Sequence, residues 1–310
     1  STISAVTSSG RLKVPLPVTM LTSVAPLIAG TAAFTAWAVI PFGGEVEMFG
    51  VTTRLQLSDP NVGTLVLLAV TSVGIYGFVL AGWASNSPYS LLGGLRSSAQ
   101  MISYEIAMGL SLVAVFLYSG SMSTSAIVEH QRLPIAPFGL DIGMQQWLWL
   151  SLLPSFCIYV ISMVGETNRA PFDLPEAESE LISGYFTEYS AMKQGVFMLS
   201  EFIEIAVIGA LFVTLFFGGY NLPWMNDTGF VFPGGHAVPL SHGWVVVLQL
   251  LTFLGKVFLL CSFQILVRWT LPRFRYDQVL SFAWKFMLPL ALANLVATAV
   301  LVWSHQGSVT

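Results

Sequence analysis

Charge is what this chain has least of. Only 9% of its 310 residues are charged and 55% are hydrophobic, whereas an ordinary soluble domain is about 25% charged. With a mean hydropathy of +0.76, a water-soluble globular domain is excluded and an integral membrane protein is expected. Cysteine is nearly absent as well. Cys157 and Cys261 fall inside apolar runs at no metal-ligand spacing, so no zinc or iron–sulfur site is written here and both are expected to be small buried side chains. The four histidines, His130, His236, His242 and His305, lie outside the apolar runs or at one end of them. That placement removes a bis-histidine haem, which needs imidazoles facing each other within a bundle. There is no G-x-G-x-x-G, no P-loop and no H-E-x-x-H, so nucleotide binding and hydrolysis have no foothold, and any redox centre must belong to a partner. With 12 basic against 16 acidic residues, no nucleic-acid partner is expected. No acidic residue precedes Glu45, and Ser1 to Gly10 is rich in Ser and Thr. Such composition is shared by organelle transit peptides and by plain polar lead-ins.

What is present is apolar sequence in long pieces. A helix needs roughly 20 apolar residues to cross the hydrocarbon core, and charge-poor runs place seven helices near 18–40, 62–83, 99–119, 146–165, 196–217, 244–267 and 285–304. Barrel strands would read as about 10 residues of strict alternation. Val14 to Gly44 and Pro60 to Leu95 are charge-free or nearly so and lack period 2, so the expected fold class is an all-α integral membrane bundle. The chain divides into a polar lead-in at 1–17, one transmembrane domain at 18–304 with an acidic connection at 166–195, and a tail at 305–310. On this topology Arg11, Lys13, Arg96, Arg169, Lys193, Arg268, Arg273, Arg275 and Lys285 share one face, against Arg54 and Arg132 on the other. The bias puts the connections at 84–98, 166–195 and 268–284 on the cytoplasmic or matrix side.

The acidic residues are concentrated rather than spread. Eight of the 16 lie between Glu166 and Glu204, in ETNRAPFDLPEAESELISGYFTEYSAMKQGVFMLSEFIE. Asp173-Leu174-Pro175-Glu176 reads as a capping box with Pro in the first turn, which predicts a short helix to about Gly184. Glu176 and Glu180 then share one face, with Glu178 turned away. Crowded carboxylates in a poorly solvated place titrate as a set; a solvated acidic loop on the membrane surface is the plainer alternative. Inside the spans stand Glu105, Glu201, Glu204 and Lys256. Such residues are expensive in a bilayer and normally face a polar interior on a proton or ion path. Lys256 cannot easily snorkel, since about 18 Å of helix separates it from Arg268.

Several stretches together carry a resemblance. They are Trp37-Ala38-Val39-Ile40-Pro41-Phe42, Phe78 to Asn86, Tyr89 to Gly93, Ser97 to Glu105, the ETNRAPFDLPEAESEL and GYFTEY wording, Leu215 to Gly219, and Leu271-Pro272-Arg273-Phe274-Arg275-Tyr276-Asp277-Gln278. In this order they resemble the H subunit (mitochondrial subunit 1) family of proton-pumping NADH:quinone oxidoreductase, respiratory complex I, over nearly the whole chain. The resemblance implies a membrane subunit at the junction with the peripheral arm, in a mitochondrial inner or bacterial cytoplasmic membrane. It would form the membrane side of a quinone cavity and the start of a carboxylate path. Carried over by position, Glu166, Arg169, Asp173, Arg273, Arg275 and Asp277 belong to the quinone cavity, with Phe172 as a wall or a helix-entry staple. Glu105, Glu176, Glu178, Glu180, Glu188 and Glu201 belong to the proton or charge path, and Tyr189 pairs with Glu188. Quinone would be the substrate, nothing would be covalently bound, and iron–sulfur and flavin centres would sit only in partner subunits. The implied partners are peripheral-arm quinone-site and iron–sulfur subunits, antiporter-like and small membrane-arm subunits, and the lipid bilayer. The family has eight spans, and the first, with its following amphipathic segment, has no counterpart here. Either an upstream piece is absent, or the gene is split and a separate chain supplies that helix. Two other readings stay open: the homologous membrane subunit of an energy-converting hydrogenase-type complex, and a free-standing ion-coupled transporter.

Overall fold

The computed structural model describes residues 18–48, 50–133, 145–169, 171–172, 184–186, 189–226, 229–231 and 236–307. They form an all-α membrane protein with six helices long and apolar enough to span a bilayer. In chain order come α1 (Val18–Ala36), a 3₁₀ turn (Trp37–Val39), the hairpin β1 (Glu45–Met48) and β2 (Val51–Arg54), α2 (Gly63–Ala84), α3 (Pro88–Ser119), α4 (Thr124–His130), α5 (Leu148–Ser151) and α6 (Leu153–Glu166). A 3₁₀ turn (Gly184–Phe186) leads to α7 (Ala191–Phe216). Strands β3 (Met225–Asn226), β4 (Gly229–Val231) and β5 (Ala237–Pro239) follow, then α8 (His242–Thr270), α9 (Tyr276–Phe282), a π turn (Ala283–Met287) and α10 (Leu288–Gly307). The hairpin pairs Glu45 with Arg54, and β3-β4-β5 is a small antiparallel sheet.

Three spans differ from their expected limits. The third begins at Pro88, whose missing N–H costs nothing in a first turn, so the expected connection at 84–98 is mostly helix. Glu105 therefore sits near the middle of this helix rather than in its first third. Arg96 is accommodated because its guanidinium lies 5.2 Å from the Tyr276 ring centre. The fourth span is broken at Leu152 (φ −119°, ψ 45°), because Pro154 cannot continue a helix that started at Leu148, and only Leu153–Glu166 runs on. The last begins at Tyr276 and passes through the π turn, which swings Trp284 so that its Nε1 donates to Ser103 Oγ at 3.1 Å. The cysteines also depart from expectation: Cys157 is exposed on the outer face of α6, and Cys261 is only half-buried.

Small residues set the packing. Buried Ala25, Ala29, Ala32, Ala33 and Ala36 of α1 lie along α2, where a Cβ on Gly77 would come within 2.9 Å of the Ala25 carbonyl oxygen. Close backbone approach of this kind replaces the hydrophobic drive that lipid removes. Helix α3 is central, packed by α2, α6 and α10, while α6 and α7 are joined by Tyr159 stacked on Phe212 at 5.1 Å.

Lys256 is held within the bundle. Its Nζ donates to the carbonyl oxygens of Phe217 at 2.7 Å, Gly219 at 3.0 Å and Asn221 at 2.6 Å and lies 4.6 Å from the Trp147 ring centre. These carbonyls belong to the end of α7 and the turn beyond it, where a helix leaves acceptors unsatisfied. The ammonium thus uses its three donors on a helix terminus.

Three connections meet on one face. Phe274 N–H donates to the Pro171 carbonyl oxygen at 3.0 Å, and Ser90 Oγ donates to the Gly184 carbonyl oxygen at 3.0 Å. This gathers the α2–α3, α6–α7 and α8–α9 connections, as the charge bias requires. Gly93 permits the second contact, since a Cβ there would lie 2.9 Å from Gly184 Cα.

Two outcomes test this packing. Gly93→Val should force the Gly184–Phe186 turn off α3 at a cost of about 1–3 kcal/mol, seen as a lower unfolding midpoint of the purified protein. Lys256→Met should leave three carbonyls without their donor and cost about 1.5–3 kcal/mol; equal midpoints for wild type and variant would remove the ammonium from the fold's supports.

Candidate functional site

Helix α7 carries Glu201 and Glu204 one turn apart, with Glu204 facing α1 and α2 and Glu201 facing Arg169 just beyond α6. Glu201 is 8% exposed. Its Oε2 pairs with Arg169 Nη2 at 3.2 Å, and its Oε1 accepts from the Tyr185 hydroxyl at 2.6 Å. The Arg169 guanidinium also lies 4.8 Å from the Phe202 ring centre. Both ion-pair side chains are buried, at 14% and 9% exposure, so solvent screens them little. Tyr185 reaches Glu201 because Gly184 turns with φ +54°, a left-handed value that Gly takes without strain.

Deeper in, Glu105 Oε1 on α3 accepts a hydrogen bond from Ser72 Oγ on α2. Glu166, the last residue of α6, is 2% exposed, and its Oε2 has no hydrogen-bond partner among the described residues. Glu166 interacts electrostatically with Glu105 and Glu204, and Glu204 with Glu201 and Glu105. Glu204 lines a cavity of about 10 Å³ with Thr71 and Ser200, close to the volume one water needs. Four carboxylates therefore form one interacting set inside the spans. Arg169 stands at the end nearest the acidic connection. Protons leave groups so arranged in successive steps that belong to the set rather than to any one carboxyl, an arrangement that can take up, hold or pass on a proton.

The sequence candidates divide into three sets. Asp173, Glu176, Glu178, Glu180 and Glu188 lie outside the described residues, as does the expected helix from Asp173. Glu105, Glu166, Arg169 and Glu201 come together as above, and Glu166 is deeper than a residue of a surface connection would be. Phe172, Arg273, Arg275 and Asp277 lie to one side. Phe172 is buried between Tyr104 at 5.2 Å and Phe274 at 5.7 Å, on the wall of an apolar cavity of about 570 Å³. Arg273, Arg275 and Asp277 are exposed, with Arg275 Nε 3.6 Å from Asp277 Oδ1.

Two members of the site carry no sequence signal of their role. Ser72 is one hydroxyl in an apolar run, and a hydroxyl there usually bonds back to its own helix, as this one also does to the Leu68 carbonyl oxygen at 2.8 Å. Tyr185 stands in GYFTEY, where the Glu188-Tyr189 pair is the more prominent feature. Tyr189 packs edge-on against Phe197 at 5.1 Å; burial pushes its hydroxyl up to about 12, so it stays protonated at physiological pH.

Fold and site together define a polytopic α-helical membrane protein with an ionisable interior. The chain belongs to the NADH dehydrogenase family, whose model matches residues 14–299. It is 52% identical over 277 residues to the H subunit of NADH-quinone oxidoreductase from Cutibacterium acnes, a match covering 89% of this chain and 60% of that protein. It is 49% identical over 269 residues to the same-named protein of Frankia alni, covering 87% of this chain and 54% of that protein. The chain thus spans a little over half the length of these curated relatives.

Arg169→Met should strand the Glu201 carboxylate and destabilise the protein by about 3–5 kcal/mol, whereas Tyr185→Phe should cost about 1.5–3 kcal/mol. A double-mutant cycle on unfolding midpoints should give a non-additive result, because both act on Glu201; strict additivity would mean the three groups do not form one network.

Proposed function

We propose that this chain is the membrane subunit of a proton-pumping NADH:quinone oxidoreductase that forms the membrane side of the quinone cavity and the first part of the acidic path behind it. The observation that carries this reading is the set Glu105, Glu166, Glu201 and Glu204 within the spans, closed by Arg169 at the end of the ETNRAPFDLPEAESEL connection. Ionisable residues inside membrane spans are the mark of a proton or ion route. The names of the two relatives support the same assignment.

In this reading the redox chemistry belongs to partner subunits that hold flavin and iron–sulfur centres, and quinone is the substrate. Arg169 offers forked donors to a quinone head group or to carboxylates of the connection, and Phe172 forms part of the apolar wall. Reduction of quinone changes the charge at the cavity, which shifts proton occupancy first in Glu176, Glu178 and Glu180. Glu188 and Glu201 then pass the change to Glu204, Glu166 and Glu105. Arg273, Arg275 and Asp277 border the cavity from the α8–α9 connection. The partners are the peripheral-arm quinone-site and iron–sulfur subunits and the antiporter-like and small membrane-arm subunits. The membrane is a bacterial cytoplasmic or a mitochondrial inner one, with the acidic connection on the cytoplasmic or matrix side.

Glu201→Gln and Glu176→Gln should each lower quinone-linked proton pumping by about tenfold or more, in the range of a lost proton-transfer group, while NADH oxidation by an artificial acceptor stays near wild type. Proton uptake by inverted membrane vesicles and ferricyanide reduction measure the two quantities. Full coupled pumping in both variants would overturn the path.

A further inference from the structure

The two carboxyl groups of α7 have different surroundings. Glu201 is held by Arg169 and by the Tyr185 hydroxyl, whereas the Glu204 carboxyl has no hydrogen bond or ion pair among the described residues. It lines instead the cavity of about 10 Å³ between α1, α2 and α7, together with Ala29, Ala33, Thr71, Gly74 and Ser200 among others. A polar group left unpaired inside a span is costly, so the cavity is the place to look for its partner.

The chemistry of the lining is one-sided. Thr71 Oγ1 donates its hydrogen to the Leu68 carbonyl oxygen at 2.9 Å, and Ser200 Oγ donates to the Phe197 carbonyl oxygen at 2.7 Å. Both hydroxyls therefore offer the cavity lone pairs alone, as an ionised Glu204 does. Among the described residues no lining side chain donates into it, so the occupant must bring the hydrogens. A water needs about 10–15 Å³ and two to four polar partners, and Glu204, Thr71 and Ser200 supply them. A metal cation would need about six ligands, more than one carboxyl and two hydroxyls provide. Small residues keep the space: Ala29, Ala32, Ala33 and Ala36 are all buried on this wall. A Cβ on Gly74 would meet one atom, the Ala32 Cβ, at an ordinary 3.5 Å.

We propose that this cavity holds one water hydrogen-bonded to Glu204, with Thr71 and Ser200 as positioning residues, and that Glu204 exchanges its proton through it. A proton leaving the carboxyl is accepted at the water oxygen and one of the water's own moves on, so the water is neither made nor consumed. Thr71 and Ser72 are consecutive on α2, and Ser72 donates to Glu105, so one helix carries both the water's anchor and the hydroxyl on the next carboxyl. The inference rests on the acidic path proposed above and adds to it the group through which Glu204 joins.

The test uses the complete membrane assembly in two measurements: a density map that shows ordered waters, and proton uptake by inverted vesicles with ferricyanide reduction as the control. Wild type should show one water within hydrogen-bond reach of Glu204, Thr71 and Ser200, and a map without it would overturn the proposal. Gly74→Ala puts a methyl into the cavity with no strained contact. It should remove the water and lower pumping about tenfold, in the range of a lost proton-transfer group, while ferricyanide reduction stays near wild type. Thr71→Val should do the same, whereas Thr71→Ser, which keeps the hydroxyl, should pump like wild type. If Thr71 only filled space, Val, the closer match in shape, would be the better tolerated of the two, and that order would also overturn the proposal. So would full pumping by Gly74→Ala once its water has gone. An unfolding midpoint that rises with Na+ in wild type but not in Glu204→Gln would give the cavity to a cation instead. Glu201→Gln separates the two readings: a defect there with none in Gly74→Ala sinks the water alone, and no defect in either sinks the path with it.

Discussion

A charge inside a bilayer must be met by another charge or by hydrogen bonds, because no water is there to meet it. The pairing of Arg169 with Glu201 is where this constraint acts most strongly. It ties the end of α6 to α7 and, through the Tyr185 hydroxyl, draws in the turn that rests on α3 at Gly93. Burying such a pair is close to neutral against an apolar substitute, yet breaking it is costly. The geometry is therefore enforced less by the strength of the pair than by the penalty for leaving either member alone. Glu105, Glu166 and Glu204 lie beyond it, and Glu105 accepts from the Ser72 hydroxyl.

Lys256 meets the same constraint by a different route. Its ammonium satisfies the carbonyls where α7 ends. A cation at a helix C-terminus also complements the helix dipole. One buried charge thus closes a helix, while another, Glu201, joins two helices through Arg169.

Much of this is legible in the chain and some is not. Helices α1, α2, α7 and α8 follow their apolar runs closely, because a bilayer requires both length and apolarity and few other segments have both. The limits of α3, α6 and α9–α10 depart from the apolar runs where charge or proline stands inside a helix. Arg96 looks like the edge of a span, but the Tyr276 ring gives it a place within one; Pro154 splits a run that hydropathy alone joins. Cys157 belongs to a commonly buried residue type, yet in lipid an exposed thiol meets hydrocarbon rather than water. Glu105 and Glu201 can be singled out because a carboxylate in an apolar run is rare. Tyr185 and Ser72 cannot, because a single hydroxyl gives no hint of which helix it will face.

The sequence by itself determined the solvent, the helical class, the gathering of acidic residues at one connection and the family to which the chain belongs. Each of these depends on composition or on local wording, which survive without a fold. Only the tertiary structure decided that Glu166 joins Glu105 and Glu204, that Arg169 chooses Glu201, and that Lys256 closes α7. The Arg169–Glu201 contact bridges 32 positions of sequence, and the others bridge more. Close packing of small residues, not any local preference, brings their helices within reach.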